Sequence, residues 1–236
     1  MTEEERKQIE EKVAQAKQRI AQAAIASGRK PEDITLVAAT KMNDAYRVRA
    51  AIAAGIDVCG ENRVQELLEK YEQHAYDGCP LHFIGTLQSN KVKYLIGKVS
   101  LIESVSSVKL ARVIDKEAAK AGIIQDILLE VNIGREESKL GIDPDELFSV
   151  VEEISTLEHI HVRGLMTIPP KIQQNQEKTR YFDRMYQLFI DISAKKYDNI
   201  SMDCLSMGMS ADYEEAISCG ATIVRLGTAI FGARHY

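Results

Sequence analysis

The chain has 236 residues, of which 45% are hydrophobic and 28% are charged. This balance is typical of a globular protein with a continuous core and excludes a largely disordered chain. The formal net charge is -5 and there is no long basic run, which excludes a nucleic-acid partner bound through its phosphates. Because α/β barrels reach about 200 to 250 residues as one unit, we expect a single domain over residues 1–236.

Cysteine spacing indicates whether the chain binds a metal, and hydropathy indicates where in the cell it is located. The cysteines form neither a CxxC pair nor a zinc-type spacing with histidine, which predicts no metal site and a reducing environment. The acidic N-terminus lacks the basic start and apolar stretch of a signal peptide. No apolar run approaches the roughly 18 residues of a membrane span. We therefore expect a cytoplasmic protein without a membrane partner.

The first predicted element is a helix near the N-terminus. Thr2 and Glu5 have the spacing of a capping box, and Gly28 with Pro31 ends the helix. Apolar residues between these signals recur at helical spacing, as expected for a helix that buries one face. They are Ile9, Val13, Ala16, Ile20 and Ala24.

Eight short apolar runs follow, separated by segments that we predict to be helical. Continuous apolar runs are typical of strands buried on both faces, and helical crossovers make such strands parallel. The pattern predicts a (β/α)8 TIM-type barrel with an extra N-terminal helix, and a doubly wound open sheet is the alternative. The predicted strands are 34–40, 57–60, 81–85, 101–105, 126–132, 161–168, 201–207 and 222–227.

Residues that typically start or end helices also occur in the segments between the predicted strands. Gly122 is placed to end the helix before the fifth strand. Asp143, Pro144 and Glu146 have the order of an N-cap, a first-turn proline and a capping partner for the next helix. The segment after the eighth strand is too short for a full closing helix, and we expect the N-terminal helix to cover that gap.

Lys41 directly follows the first predicted strand, at the end of the barrel where active sites lie. A lysine amine that is partly desolvated there becomes nucleophilic enough to form a Schiff base with an aldehyde. The alternative is a lysine whose amine simply reaches solvent.

Small and hydroxyl residues follow strands seven and eight. Ser210, Gly227 and Thr228 suit a phosphate site, which barrels often build in these loops from backbone amides and hydroxyls. The alternatives are a helix cap for Ser210 and a plain turn for Gly227. Arg225 lies in an apolar strand and needs an acceptor, either a carboxylate in a structural salt bridge or the pyridine nitrogen of a cofactor.

Two other polar residues have less specific surroundings. Asn62 follows strand two and is a candidate for a hydrogen bond to the ligand or for a helix cap. His82 lies inside strand three, where a hydrogen-bonded core histidine is the more common case.

Ordered motifs run along the whole chain. They include Thr40-Lys41, Gly60-Glu61-Asn62 with Val64-Gln65-Glu66, His82-Phe83-Ile84-Gly85 with Leu87-Gln88 and Asn90-Lys91, Arg163-Gly164-Leu165-Met166, Leu205-Ser206-Met207-Gly208-Met209-Ser210 and Arg225-x-Gly227-Thr228-Ala229-Ile230-Phe231-Gly232. In these motifs the chain closely resembles the pyridoxal phosphate homeostasis proteins, the PROSC or YggS family. One departure is that many members place a proline shortly after the lysine, where this chain reads Met42-Asn43-Asp44.

The resemblance implies a barrel similar to the N-terminal domain of alanine racemase, with Lys41 as the Schiff-base lysine. It implies a carrier or regulator of pyridoxal 5'-phosphate without established catalytic turnover, so we assign no catalytic residue. We expect a monomer, with apo-enzymes that receive the cofactor as possible partners. The implied ligand contacts are phosphate binding by Ser210, Gly227 and Thr228 and a ring-nitrogen contact by Arg225, and we add Asn62 and Met207 to the cofactor-binding set.

Two enzymatic functions compete with this prediction. An amino-acid racemase would need acid/base groups on both faces of the substrate carbon, and alanine racemase takes its second base from a further β domain. We expect no such domain in this protein, and Tyr213 and Tyr236 are the possible substitutes. A sugar-phosphate enzyme that uses Lys41 as an aldolase-type lysine is the other candidate.

Overall fold

The computed structural model describes residues 1–170 and 175–232, and its eight strands form one closed barrel in chain order. Each strand pairs in parallel with the next, and the eighth pairs with the first. The predicted barrel is confirmed and the open sheet is excluded. The strands are β1 Thr35–Ala39, β2 Val58–Glu61, β3 Leu81–Phe83, β4 Leu101–Val105, β5 Gln125–Glu130, β6 Ile160–Met166, β7 Ile200–Met209 and β8 Ile223–Leu226.

Helices connect most of these strands on the outside of the barrel. One connection differs from the prediction, because β3 and β4 are joined by a 3-10 helix over Ser89–Tyr94 and not by an α-helix. The α-helices are α1 Glu3–Ala26, α2 Ala45–Ala53, α3 Val64–Glu72, α4 Val108–Ala121, α5 Leu147–Ile154, α6 Asn175–Ser193, α7 Tyr213–Ser218 and α8 Thr228–Phe231.

The N-terminal helix begins and packs as predicted. Thr2 Oγ1 accepts a hydrogen bond from the Glu5 amide at 3.2 Å, and the Thr2 amide donates to Glu5 Oε2 at 2.6 Å, which completes the capping box. Helix α1 packs against α2, α7 and α8. Because α8 has only four residues, α1 covers this side of the barrel, as the short segment after β8 led us to expect.

The predicted start of the helix after β5 is wrong. The helix begins at Leu147, and Asp143 does not cap it. The Asp143 carboxylate instead accepts from the Asp145 amide at 2.8 Å. The preceding residue Ile142 is held against β5, since its amide donates to the Glu130 carbonyl, and this extended pairing delays the first helical turn.

Side chains of the strands alternate between two buried regions. The inner region fills the barrel, where Gly60 leaves room for its neighbours: a Cβ there would lie 2.7 Å from Val37 and 2.8 Å from Ile84. The outer region lies between the barrel and the helices and contains Met207. The inner apolar residues are Val37, Ala39, Val58, Ile84, Leu101, Leu128, Met166 and Ile223.

In the ranges 1–170 and 175–232, no helix has the length and apolar character needed to cross a membrane.

Candidate functional site

Lys41 lies in a tight turn at the carboxyl end of β1. The turn is closed by a hydrogen bond of 3.1 Å from the Asn43 amide to the Thr40 carbonyl. Met42, the residue after Lys41, has a φ of 62°, in the left-handed region that non-glycine residues seldom adopt. Lys41 itself is half-buried. The turn therefore holds a lysine at the mouth of the barrel, as predicted.

Two cavities meet at Lys41. One, of about 400 Å³, is lined by Lys41, Gly227 and Thr228 together with residues of α1 and α2. The other, of about 600 Å³, lies towards β2 and β3, where Asn62 and Lys91 line it beside Lys41. The structure thus brings the predicted lysine together with two predicted phosphate residues on one side and with Asn62 on the other.

Ser210 connects the loops after β7 and β8. Its hydroxyl oxygen accepts from the Gly227 and Ala229 amides, each at 3.2 Å. Ser210 does not cap α7, which begins one residue after Asp212. Two backbone amides, one of them from a residue that lines the Lys41 cavity, therefore donate to the Ser210 hydroxyl. Backbone amides and hydroxyl groups are the donors that phosphate sites use. Thr228 is exposed beside them.

Arg225 is buried inside the barrel, with 5% of its surface exposed. Its guanidinium donates to the Thr167 carbonyl at 2.8 Å and to the Ser206 hydroxyl. A Glu103 carboxylate oxygen lies 3.9 Å away. Burial lowers the pKa of Arg225, while the charges of Glu103 and Glu130 oppose that effect. The structural salt bridge that the sequence allowed is present.

Glu103 is the centre of this inner network, and the sequence prediction missed it. Its carboxylate lies 2.6 Å from His82 Nδ1 and accepts from Ser206 at 2.6 Å. Burial acts to raise the pKa of Glu103, but the hydrogen bond and charge of His82, the charge of Arg225 and the Ser206 hydroxyl together lower it. A glutamate within the apolar β4 sequence was the available signal, because a buried carboxylate needs partners. His82 is a hydrogen-bonded core histidine, as expected.

A second carboxylate lies near Arg225. Glu130 is the last residue of β5 and is half-buried. Burial raises the pKa of Glu130 to about 7, although the charge of Arg225 acts to lower it. Its charge therefore changes near neutral pH.

Two predicted contacts have surroundings that the sequence did not indicate. Asn62 is not the cap of α3, whose N-cap residue is Arg63. The Asn62 Oδ1 atom is buried and has no hydrogen-bond partner among the described residues, so it offers an acceptor beside the larger cavity. Met207 is fully buried in the outer core, on the opposite face of β7 from Ser206. Any ligand contact by Met207 would therefore come from its backbone.

No group of three or more histidine, cysteine or acidic side chains is arranged to hold a metal ion in the part of the chain that the structure describes. All four cysteines are free thiols.

Known proteins are similar to this chain in both sequence and structure. The family model for the alanine racemase N-terminal domain matches residues 7–235. A pyridoxal phosphate homeostasis protein of Aquifex aeolicus is 43% identical over 226 residues, which cover 96% of this chain and 98% of the relative.

Two solved structures extend the comparison. A protein of Bifidobacterium adolescentis, described as unknown, has a TM-score of 0.92 and 38% identity and covers 98% of this chain and 97% of its own. PipY of Synechococcus elongatus, with PLP (pyridoxal 5'-phosphate) bound, has a TM-score of 0.79 and 32% identity and covers 90% of this chain and all of its own. With the family model and the Aquifex aeolicus relative, these matches show that the chain belongs to the family of the pyridoxal phosphate homeostasis proteins.

Proposed function

We propose that this protein binds pyridoxal 5'-phosphate, with Lys41 as the point of covalent attachment, and takes part in the intracellular homeostasis of the cofactor. The observation that carries the proposal is the cavity that Lys41 shares with Gly227 and Thr228. An amine and a phosphate-type loop lie on one cavity there. Family membership supports the same function, since a relative that is 32% identical has PLP bound.

The side chains and amides fit the chemical groups of this cofactor. When bound, the cofactor supplies an aldehyde that condenses with a primary amine, together with a phosphate and an aromatic ring nitrogen. Lys41 provides the amine. The phosphate would be held by the Ser210 and Thr228 hydroxyls and by the Gly227 and Ala229 amides. Both of these amides donate to the Ser210 hydroxyl in the structure. Asn62 Oδ1 is a buried acceptor in need of a donor.

Arg225 is proposed to face the ring nitrogen. Its guanidinium is held in place from two sides by the Thr167 carbonyl and the Ser206 hydroxyl. A fixed cation beside a ring nitrogen keeps that nitrogen unprotonated, so the ring withdraws electrons only weakly. This arrangement favours holding the cofactor over using it in catalysis. Met207 would contribute through its backbone.

The cellular role is proposed on the same basis. The curated relative is named for homeostasis and not for a reaction, which supports a carrier or regulator that is not an enzyme. We propose that the partners are apo-enzymes that receive the cofactor and that the protein works as a monomeric single domain. We also propose a cytoplasmic setting.

The proposal is tested by absorbance after incubation with pyridoxal 5'-phosphate and removal of the free cofactor. We expect a yellow protein whose visible band is lost in Lys41→Ala. Lys91→Ala removes another lysine from the larger cavity and should keep the band. A colourless unmodified protein would contradict the proposal. Exchange of the alanine α-proton at ordinary enzyme rates would instead favour the racemase.

A further inference from the structure

A second network of buried charges lies outside the barrel, behind Lys41. Its cation is Lys70 of α3, which is buried with 5% of its surface exposed. The Lys70 amine lies 2.6 Å from a Glu61 oxygen and 2.7 Å from a Glu66 oxygen. The same amine donates to the Thr40 carbonyl at 2.8 Å. Lys70 therefore binds the residue that precedes Lys41.

Glu61 also binds Thr40, the residue that precedes Lys41. Its Oε1 atom accepts from the Thr40 hydroxyl at 2.6 Å and from the Tyr76 hydroxyl at 3.1 Å, in addition to Lys70. Burial raises the pKa of Glu61, against the charge and hydrogen bond of Lys70 and the hydrogen bond of Thr40. Thr40 is fully buried and also bonds the Gly60 carbonyl through its hydroxyl at 3.1 Å.

Glu66 holds the residue on the other side of Lys41. The Met42 amide donates a hydrogen bond to the Glu66 carboxylate. Met42 has the left-handed φ of 62° and is an exposed residue, so packing of its side chain does not explain its conformation. The hydrogen bond to Glu66, together with the turn closed by Asn43, offers a physical reason for it.

The network binds the main chain immediately before and after Lys41. We propose that Lys70, Glu61 and Glu66 are positioning residues, which fix the turn so that the Lys41 amine is held towards the cofactor aldehyde. This inference rests on the proposed function of Lys41. It also gives the buried charges a role beyond stability, since apolar residues of similar size often stabilise a core as well as a buried ion pair does.

The test separates covalent capture from binding. Pyridoxine 5'-phosphate has the phosphate and ring of the cofactor but an alcohol in place of the aldehyde, so it binds without a link to Lys41. We expect Lys70→Met and Glu66→Ala to slow the appearance of the visible band with pyridoxal 5'-phosphate by about 10- to 100-fold, because a misplacement of about 1 Å can cost about a hundredfold. Affinity for pyridoxine 5'-phosphate should change less than about twofold. Equal losses with both compounds would contradict a positioning role.

Two further variants of α3 serve as controls. Glu69→Ala removes an exposed carboxylate that bonds only Gln65 among the described contacts, and it should leave both measurements unchanged. Glu66→Gln keeps an oxygen acceptor for the Met42 amide and should recover most of the rate lost in Glu66→Ala.

Hydrogen exchange in the cofactor-free protein gives an independent measurement. The Met42 amide should exchange faster in Glu66→Ala than in the unmodified protein, while Glu69→Ala should have no effect. Should Lys70→Met fail to fold, the Glu66 variants complete the test. A yellow unmodified protein with unchanged capture rates in these variants would overturn the positioning role alone, whereas a colourless unmodified protein would overturn the proposed function.

Discussion

The inner network around Glu103 and the outer network of Lys70, Glu61 and Glu66 each contain a fully buried glutamate, yet the pKa values of the two carboxyl groups shift in opposite directions. The pKa of Glu103, inside the barrel, is lowered, whereas the pKa of Glu61, outside it, is raised. Glu103 has the Ser206 hydroxyl and the charges of His82 and Arg225 around it. Among the described contacts, the cation that binds Glu61 is Lys70, which also binds a second carboxylate, Glu66. The partners, and not burial alone, therefore decide which form of a buried carboxyl group is favoured.

The largest expected effect comes from breaking the inner network. Glu103→Leu removes the carboxylate that lies 3.9 Å from the buried Arg225 guanidinium, and we expect a loss of about 3 to 5 kcal/mol in the free energy of unfolding. Urea denaturation measures this loss. The double variant Glu103→Leu/Arg225→Met should recover much of it, because the buried guanidinium is then removed together with its carboxylate partner. Additive losses in the double-mutant cycle would show that the two side chains do not interact energetically.

An effect of intermediate size is expected in the pH dependence of stability, which should differ in sign between the two networks. A folded-state pKa below the unfolded value gives stability that is lost as the pH falls, so the destabilisation in Glu103→Gln should be largest above about pH 4.5 and shrink in acid. A folded-state pKa above the unfolded value gives stability that is lost as the pH rises. The destabilisation in Glu61→Gln should therefore shrink as the pH rises above about 4.5. Urea unfolding between pH 3.5 and pH 8 measures both, with about 1.4 kcal/mol for each unit of pKa difference. If the destabilisation changed in the same direction with pH in both variants, the predicted difference between Glu103 and Glu61 would be contradicted.

The smallest expected effect concerns the turn that the outer network holds. Asparagine adopts the left-handed conformation more readily than methionine, so Met42→Asn should raise the free energy of unfolding by up to about 1 kcal/mol. Thermal unfolding at a fixed pH measures the gain. Tyr46→Asn, at an exposed position of α2, is the matched control and should be neutral or destabilising. A destabilised Met42→Asn would show that the conformation of Met42 is not a source of strain.

The barrel and its lysine could be predicted because local sequence determines them. Each strand is largely an apolar run, and Lys41 stands directly after one. Ser210 and Gly227 lie in loops whose position in the barrel is fixed by chain order. The start of α5 was predicted wrongly because Ile142 pairs with β5, and that contact has no local signal in the sequence.

The two networks could not be predicted in this way. The hydrogen bond from Ser206 to Glu103 joins residues 103 positions apart and depends on how the inner faces of β4 and β7 meet across the barrel. Lys70 is a charged residue on a polar helix, for which an exposed position is the ordinary expectation. Its burial results from the placement of α3 against the end of β2, a tertiary arrangement.

The most direct test of the account is to locate the attachment site by mass. The protein is loaded with pyridoxal 5'-phosphate, treated with borohydride to make the link irreversible, digested and mapped by mass spectrometry. We predict that the added mass lies on the peptide that contains Lys41 and is absent from peptides that contain Lys70 or Lys91. Stoichiometric modification of any of those lysines, with Lys41 unmodified, would contradict the assignment of Lys41 as the cofactor lysine.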